Sequence, residues 1–213
     1  MFGYIATVFQ EIWKGPFWAG RWATFLSLLR KPTEFFKGVG KKEWDQEAYL
    51  FGITASLATL ALSLLMSLGL LISLPGWWGL KAWLISLLSM GLGWFIGLFL
   101  TYYVVAWFFG LAAKLVLKKE LTDKIRPILF AALVCGLPSV IPFLGGLLAL
   151  AAFILVLVIA YENGLKVERG SAIGCVLLGM LFTGLAYGLV ILILLGLSAL
   201  AGFSIWGLSG WRH

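Results

Sequence analysis

Charge is what this sequence lacks most. Only 12% of its 213 residues are charged, and residues 127–161 form a stretch of 35 residues without one charged side chain. Residues 171–211 form a second such stretch. The chain is 62% hydrophobic with a mean hydropathy of +1.04, and a soluble domain of this length could not bury so much apolar surface. The sequence therefore predicts an integral membrane protein, since about 20 apolar residues cross a bilayer as a helix.

Groups that carry catalysis or bind metals are equally scarce. The chain has two cysteines, Cys135 and Cys175, both within apolar runs, and one histidine, His213, at its last position. Neither residue type has the spacing of metal ligands, and no HExxH, GxSxG or phosphate-binding glycine loop occurs. No carboxylate lies inside an apolar run, where an ion-coupled transporter usually needs one. The sequence therefore favours a protein without catalytic activity, cofactor or metal.

Four long uncharged runs, one of them divided by prolines and glycines, predict an all-α membrane protein with five transmembrane helices. Residues 1–47 combine apolar residues at helical spacing with aromatic and sparse basic residues, which predicts amphipathic helices in the headgroup region or packed on the spans. Residues 201–213 are rich in Gly, Ser and Trp and too short to cross, so we expect an interfacial C-terminal tail. The membrane domain is predicted at 48–200, with spans at about 48–74, 77–113, 122–141, 143–161 and 171–198.

The basic residues lie between these runs and predict an orientation. With five spans, 14 of the 16 Lys+Arg fall on one side of the membrane and 2 on the other. The positive-inside rule then places the N-terminus in the cytoplasm and the C-terminus outside, in a multi-pass protein of the cell membrane. Basic residues that flank apolar runs favour membrane lipids as partners and exclude nucleic acid, because no soluble domain carries a basic face.

The stretch 127–161 is interrupted near its middle by prolines and glycines. Its first arm is too short to cross alone, so residues 127–142 form either a kinked span or one arm of a re-entrant hairpin. Backbone groups freed at such a break cannot face lipid unpaired, so the break must lie at an interface, against protein or in a wet cavity. We interpret the break as a packing hinge or as a lipid or solute site. The residues of this candidate site are Gly136, Pro138, Pro142, Gly145 and Gly146.

A second candidate is polar and lies at the end of the fourth predicted span. Tyr161, Glu162 and Asn163 follow directly on the uncharged run. A carboxylate in that place is most often a solvated helix end, and the alternative is a polar functional site.

The order of these pieces resembles the Yip (Ypt-interacting protein) domain family, in its short prokaryotic form. Three stretches carry the resemblance: residues 30–37 (RKPTEFFK), 137–146 (LPSVIPFLGG) and 160–172 (AYENGLKVERGSA). Val134 and Cys135 stand where many members carry an aromatic residue. The resemblance implies a five-span helical fold and self-association. In eukaryotic members it also implies association with Rab-type small GTPases and with one another, but it implies no reaction.

Two functions follow as expectations. The first is a membrane scaffold or interaction protein that contacts lipids, further copies of itself or other membrane proteins. The second is a transport protein for lipid or a small solute that uses the break at 136–146, because discontinuous helices often mark translocation sites.

Overall fold

Every regular element of the described chain is a helix. A computed structural model describes residues 1–11, 15–73, 76–141 and 144–209 of the protein. The all-helical expectation is therefore confirmed for these residues. The helices are α1 (Phe2–Glu11), α2 (Gly15–Arg30), α3 (Pro32–Phe36), α4 (Lys42–Ser67), α5 (Gly69–Ser73), α6 (Trp77–Leu100), α7 (Ala106–Leu117), α8 (Thr122–Ala132), α9 (Gly145–Gly164) and α10 (Arg169–Ser209).

Four helical segments of the described chain are long and apolar enough to cross a membrane. They are Lys42–Ser67, Trp77–Leu117, Gly145–Gly164 and Arg169–Ile193. The second segment joins α6 to α7 through a π-helical turn at Thr101–Val105. Helix α4 begins six residues before the predicted span because Glu43 and Asp45 in its first turn suit a helix N-terminus. Helix α10 continues through residues 201–209, the greater part of the predicted tail, without a break.

The predicted third span differs from the other four. Residues 122–132 form α8, and residues 133–140 then tighten into a 3₁₀ segment, Leu133–Val140. Pro138 lies inside this segment and lacks the amide proton that a continuing α-helix would use. Within α8, Ile125, Ile128, Leu129 and Phe130 are fully buried, and α4, α7 and α9 pack against this helix. The 3₁₀ segment packs against α4 and α9 but is less enclosed: residues 134–135 are buried, residues 136–138 are partly exposed and Ser139 is exposed.

Helices α4 and α8 cross at very short distance. A Cβ atom on Gly52 of α4 would lie only 2.1 Å from the carbonyl oxygen of Phe130 on α8. About one turn further along α4, the indole nitrogen of Trp94 donates a hydrogen bond to Ser56 Oγ at 3.1 Å and connects α4 to α6. Helix α4 therefore joins the broken stretch to the long α6–α7 helix.

The two N-terminal helices pack on the rest of the protein. On α1, the Tyr4 ring stacks on Tyr49 with ring centres 4.7 Å apart. Helix α2 is joined to α4 by an ion pair between Arg21 and Glu47, and Thr24 Oγ1 donates to the same carboxylate at 2.7 Å. One of the two placements predicted for residues 1–47, packing on the apolar helices, thus holds for α1 and α2.

Three basic loops come together at one end of the protein. The side chain of Lys124 reaches to within 3.7 Å of the Cβ position of Gly40. At Gly164, an added Cβ would lie 2.5 Å from Val39 Cγ2. These contacts join the loop at 37–41 to the start of α8 and to the end of α9. We name this end, with its loops at 37–41, 118–121 and 165–168, the basic end.

Candidate functional site

The turn of the broken hairpin is built around Gly145. The amide of Gly145 donates to the carbonyl of Ile141 at 3.0 Å, and the amide of Ile141 donates to the carbonyl of Pro138 at 2.9 Å. A Cβ atom on Gly145 would lie 2.1 Å from that same Pro138 oxygen. Only glycine therefore allows the start of α9 to approach the end of the 3₁₀ segment this closely.

The other predicted residues of the break have separate surroundings. Gly136 lines a cavity of about 290 Å³ together with Ala149 and Phe153 of α9. A Cβ atom on Gly146 would meet no atom within 4 Å, so this glycine faces open space. Pro142 lies outside the described residues. Gly136, Pro138 and Gly145 are thus brought together around the hairpin.

Pro138 lines a larger cavity, which we name the α2 groove. Its volume is about 360 Å³. It lies between α2, the 3₁₀ segment and α9. The lining side chains include Phe25, Leu28 and Leu29 of α2, Leu137 and Pro138 of the 3₁₀ segment, and Ala152, Leu155 and Ile159 of α9.

A smaller cavity continues the α2 groove toward α4. Its volume is about 170 Å³, and it shares Phe25, Val134 and Leu137 with the α2 groove. Arg21 and Trp22 border it on the α2 side. The two cavities therefore lie side by side along α2 and have Phe25 as a shared lining residue.

The chemistry of the α2 groove is that of hydrocarbon. Its lining side chains are aliphatic or aromatic, apart from the thiol of Cys135, which is a weak hydrogen-bonding group. A polar solute in this space would lose its hydration without gaining hydrogen bonds, at a cost of about 1 to 3 kcal/mol or more for each polar group. An alkyl chain loses nothing comparable, so the lining selects an apolar occupant.

Two exposed basic residues adjoin the groove lining in the sequence. Arg30 and Lys31 stand between the lining residues Leu29 and Pro32 and are both exposed. Lys31 Nζ lies 3.3 Å from a carboxylate oxygen of Glu34. Leu29 itself is 62% exposed while lining the cavity, which shows that the groove opens outward at this point.

The second predicted candidate, Tyr161, Glu162 and Asn163, does not form one site. Tyr161 is fully buried in the core, and its hydroxyl has no hydrogen-bond partner among the described residues. Asn163 Nδ2 donates to the carbonyl of Ile159 on its own helix at 2.9 Å, and Glu162 is half-buried. These residues end α9 at the basic end, about 24 Å along the helix from Gly145 at 1.5 Å per residue.

One cluster of aromatic and cationic side chains was not predicted from the sequence. The guanidinium of Arg126 lies 5.2 Å from the ring centre of Tyr102, in the π-helical turn, and 2.9 Å from Asp123 Oδ1. Tyr49 and Phe130 complete the cluster, with ring centres 5.1 Å apart. The only signal in the sequence is that Arg126 directly precedes the uncharged stretch. Its position makes it an anchor of α8 against the α6–α7 helix.

Among the described residues, no group of three or more His, Cys, Asp or Glu side chains could hold a metal ion. Cys135 and Cys175 are free and buried. In comparisons with known proteins, no protein-family model matches the chain, and neither curated proteins nor solved structures gave a significant match.

Proposed function

We propose that this protein is a multi-pass membrane scaffold of the Yip type, which organises lipids and partner membrane proteins without catalysis. The observation that carries the proposal is the apolar character of the cavities along the 3₁₀ segment. They offer surfaces for acyl chains or partner helices and no cluster of reactive groups. The proposed partners are membrane lipids, further copies of this chain and other membrane proteins.

Five crossings are part of this proposal, although four segments among the described residues have the length and composition of ordinary spans. Residues 118–121 and 165–168 both lie at the basic end, so the chain between them must rise to the hairpin turn and return. Helix α9 returns over about 30 Å. Eleven α-helical residues at about 1.5 Å and eight 3₁₀ residues at about 2.0 Å give about 32 Å for the rising arm. The extra rise of the 3₁₀ segment thus supports a crossing that an α-helix of equal length would barely complete.

The proposed orientation places the basic end in the cytoplasm and the C-terminus outside. The opposite end, where α6 begins, carries the exposed rings of Trp77 and Trp78 with Lys81 Nζ 5.7 and 5.3 Å from their centres. Tryptophan is enriched at membrane–water interfaces, which suits an outer surface there. The Arg21–Glu47 ion pair joins α2 to the first two turns of α4, near the basic end, and this supports an interfacial position for α2.

Accessibility labelling tests this topology. Single cysteines replace Lys41, Trp78, Glu120, Glu168 and Ser209 in a Cys135→Ala/Cys175→Ala background. A membrane-impermeant maleimide applied from outside should label positions 78 and 209, and permeabilisation should add positions 41, 120 and 168. Labelling of position 209 only from the cytoplasmic side would overturn the five-span proposal.

The scaffold role is tested by association in the membrane. The purified chain, reconstituted at low protein-to-lipid ratio, should give cross-linked oligomers or a reproducible membrane-protein partner in stoichiometric amount. A chain that remains monomeric and recovers no partner at native abundance would contradict this role.

Lipid transport is the second candidate, and the cavities on both sides of the 3₁₀ segment favour it over solute transport. A vesicle assay with fluorescent phospholipid separates it from the scaffold. Movement of lipid that falls in Pro138→Ala and persists in Gly146→Ala would support transport. Absence of movement beside reproducible association would support the scaffold alone.

A further inference from the structure

We infer that the α2 groove holds one acyl chain of an anionic glycerophospholipid, whose headgroup phosphate contacts Arg30 and Lys31. The inference rests on the proposed membrane function and orientation. It adds to them a specific ligand class and a defined site.

The size of the groove favours a single chain. Its volume of about 360 Å³ lies at the lower end of the range for small-molecule sites, about 300 to 1,000 Å³. A partner helix with its side chains is about 10 to 12 Å wide and needs much more room. The groove therefore fits one flexible alkyl chain and excludes a helix from this chain or another.

The depth of the groove matches that of a phospholipid. Ile159, one of the lining residues, lies five residues before the end of α9, about 7.5 Å from the basic end at 1.5 Å per residue. Ala152 lies about 10 Å deeper along the same helix. A chain that enters beside Leu29 and passes Ile159 would extend toward Ala152 with its headgroup outside the groove.

The charge of the residues next to the groove entry favours an anionic headgroup over a zwitterionic one. Arg30 and Lys31 lie next to the entry, and the nearest acid in this segment is Glu34, which pairs with Lys31. Arg21, deeper along α2, forms its ion pair with Glu47. The mouth thus carries an excess of positive charge, which a phosphate with net negative charge neutralises and a zwitterionic headgroup does not.

One lining residue allows a test of whether the groove holds the acyl chain. Ala152 lines the groove, whereas its neighbour Ala151 is exposed, lies about 100° around α9 from it and is not among the lining residues. Ala152→Leu fills the space for the alkyl chain, whereas Ala151→Leu makes the same chemical change outside it. For the headgroup, Arg30→Gln/Lys31→Gln removes the two charges at the mouth. Lys114→Gln/Lys119→Gln removes two exposed charges of the basic end that lie on other elements.

Native mass spectrometry of the full chain provides the readout. The protein is reconstituted with equal amounts of phosphatidylglycerol and phosphatidylcholine, extracted in mild detergent and weighed. Wild type should retain one phosphatidylglycerol molecule. Ala152→Leu should lower that occupancy about fivefold or more, as overpacking of a filled site does. Arg30→Gln/Lys31→Gln should lower the preference for phosphatidylglycerol by about fivefold per charge. The two control variants should match wild type.

Several results would overturn the inference. If wild type retained both lipids equally, the headgroup would play no part in binding. If the control variants lost as much lipid as the test variants, the effect would be a general attraction of lipid to the basic end. Retention of free fatty acid instead of phospholipid would also overturn it. Wild-type protein alone gives a second test, since Cys135 lines the groove. Its reaction with an apolar maleimide should slow several-fold in phosphatidylglycerol vesicles relative to phosphatidylcholine vesicles, and unchanged reactivity would contradict the inference.

The topology measurement is independent of these readouts. If phosphatidylglycerol were retained but position 209 were labelled only from the cytoplasm, the groove inference would stand and the five-span proposal would be overturned. If the topology were as proposed but no lipid were retained selectively, the five-span proposal would stand and the groove inference would be overturned.

Discussion

The two arms of the broken hairpin are almost equally apolar, yet the α-helical part of the first arm is buried and the second arm is largely outward-facing. In the first arm, residues 127–132 are buried throughout. In the second, Leu147, Leu148 and Leu155 are 66%, 53% and 62% exposed. Hydropathy therefore indicates which solvent a segment tolerates and does not indicate which side of it meets that solvent.

The two arms also differ in backbone geometry. The second arm is a regular α-helix that satisfies its own hydrogen bonds and can face lipid in the proposed orientation. The first arm changes to 3₁₀ geometry and contains Pro138, so its hydrogen bonds are poorer there. Its α-helical part, residues 127–132, is the part that is buried, and α4, α7 and α9 pack against this helix.

Truncation of one leucine in each arm should give the largest contrast. Leu129→Ala in the buried arm should lower the free energy of unfolding by about 3 kcal/mol, because the core cannot close the cavity that it leaves. Leu147→Ala in the outward-facing arm should lower it by less than about 1 kcal/mol, because surrounding lipid or detergent refills the space. Denaturant unfolding of both variants in the same detergent measures the difference. Equal losses would mean that the two arms are buried alike.

The turn between the arms offers a smaller contrast between adjacent glycines. Gly145→Ala should cost about 2 kcal/mol, because its Cβ would lie 2.1 Å from the Pro138 carbonyl oxygen. Gly146→Ala should be neutral or stabilise α9 by up to about 1 kcal/mol, since no atom lies within 4 Å of its Cβ position. The midpoint of thermal unfolding compares the two. A loss in Gly146→Ala equal to that in Gly145→Ala would show that the turn is not built around Gly145.

Much of the fold was predictable from the sequence because bilayer length and the absence of charge determine it. The all-α class, four of the helices and the importance of the Pro and Gly break all follow from such local properties. The close packing of α8 on α4 depended on Gly52, whose missing side chain admits the Phe130 carbonyl. The sequence around a glycine in an apolar run does not show which other segment packs against it.

The α2 groove was less predictable than the break that forms one of its walls. Pro138 was identified from its effect on the backbone, whereas Phe25 and Leu28 were covered only by the amphipathic prediction for residues 1–47. They line one cavity with Leu155 and Ile159, more than 120 positions away, and no spacing rule connects such distant segments. The contact of Arg126 was not predicted for a related reason, since its partner Tyr102 lies in a π-helical turn within an otherwise regular apolar run.

The anchoring of the buried arm by Arg126 should give the smallest effect. Arg126→Gln removes the cation from the ring of Tyr102 and should lower the free energy of unfolding by about 1 kcal/mol. Asp123→Asn is the matched change at the other end of the ion pair and should cost less than about 0.5 kcal/mol, because the Asp123 side chain is 92% exposed. Denaturant unfolding in one detergent at one ionic strength measures both. If Asp123→Asn cost as much as Arg126→Gln, the ion pair and not the aromatic ring would hold α8, and the first arm would depend on its exposed edge as much as on its buried contacts.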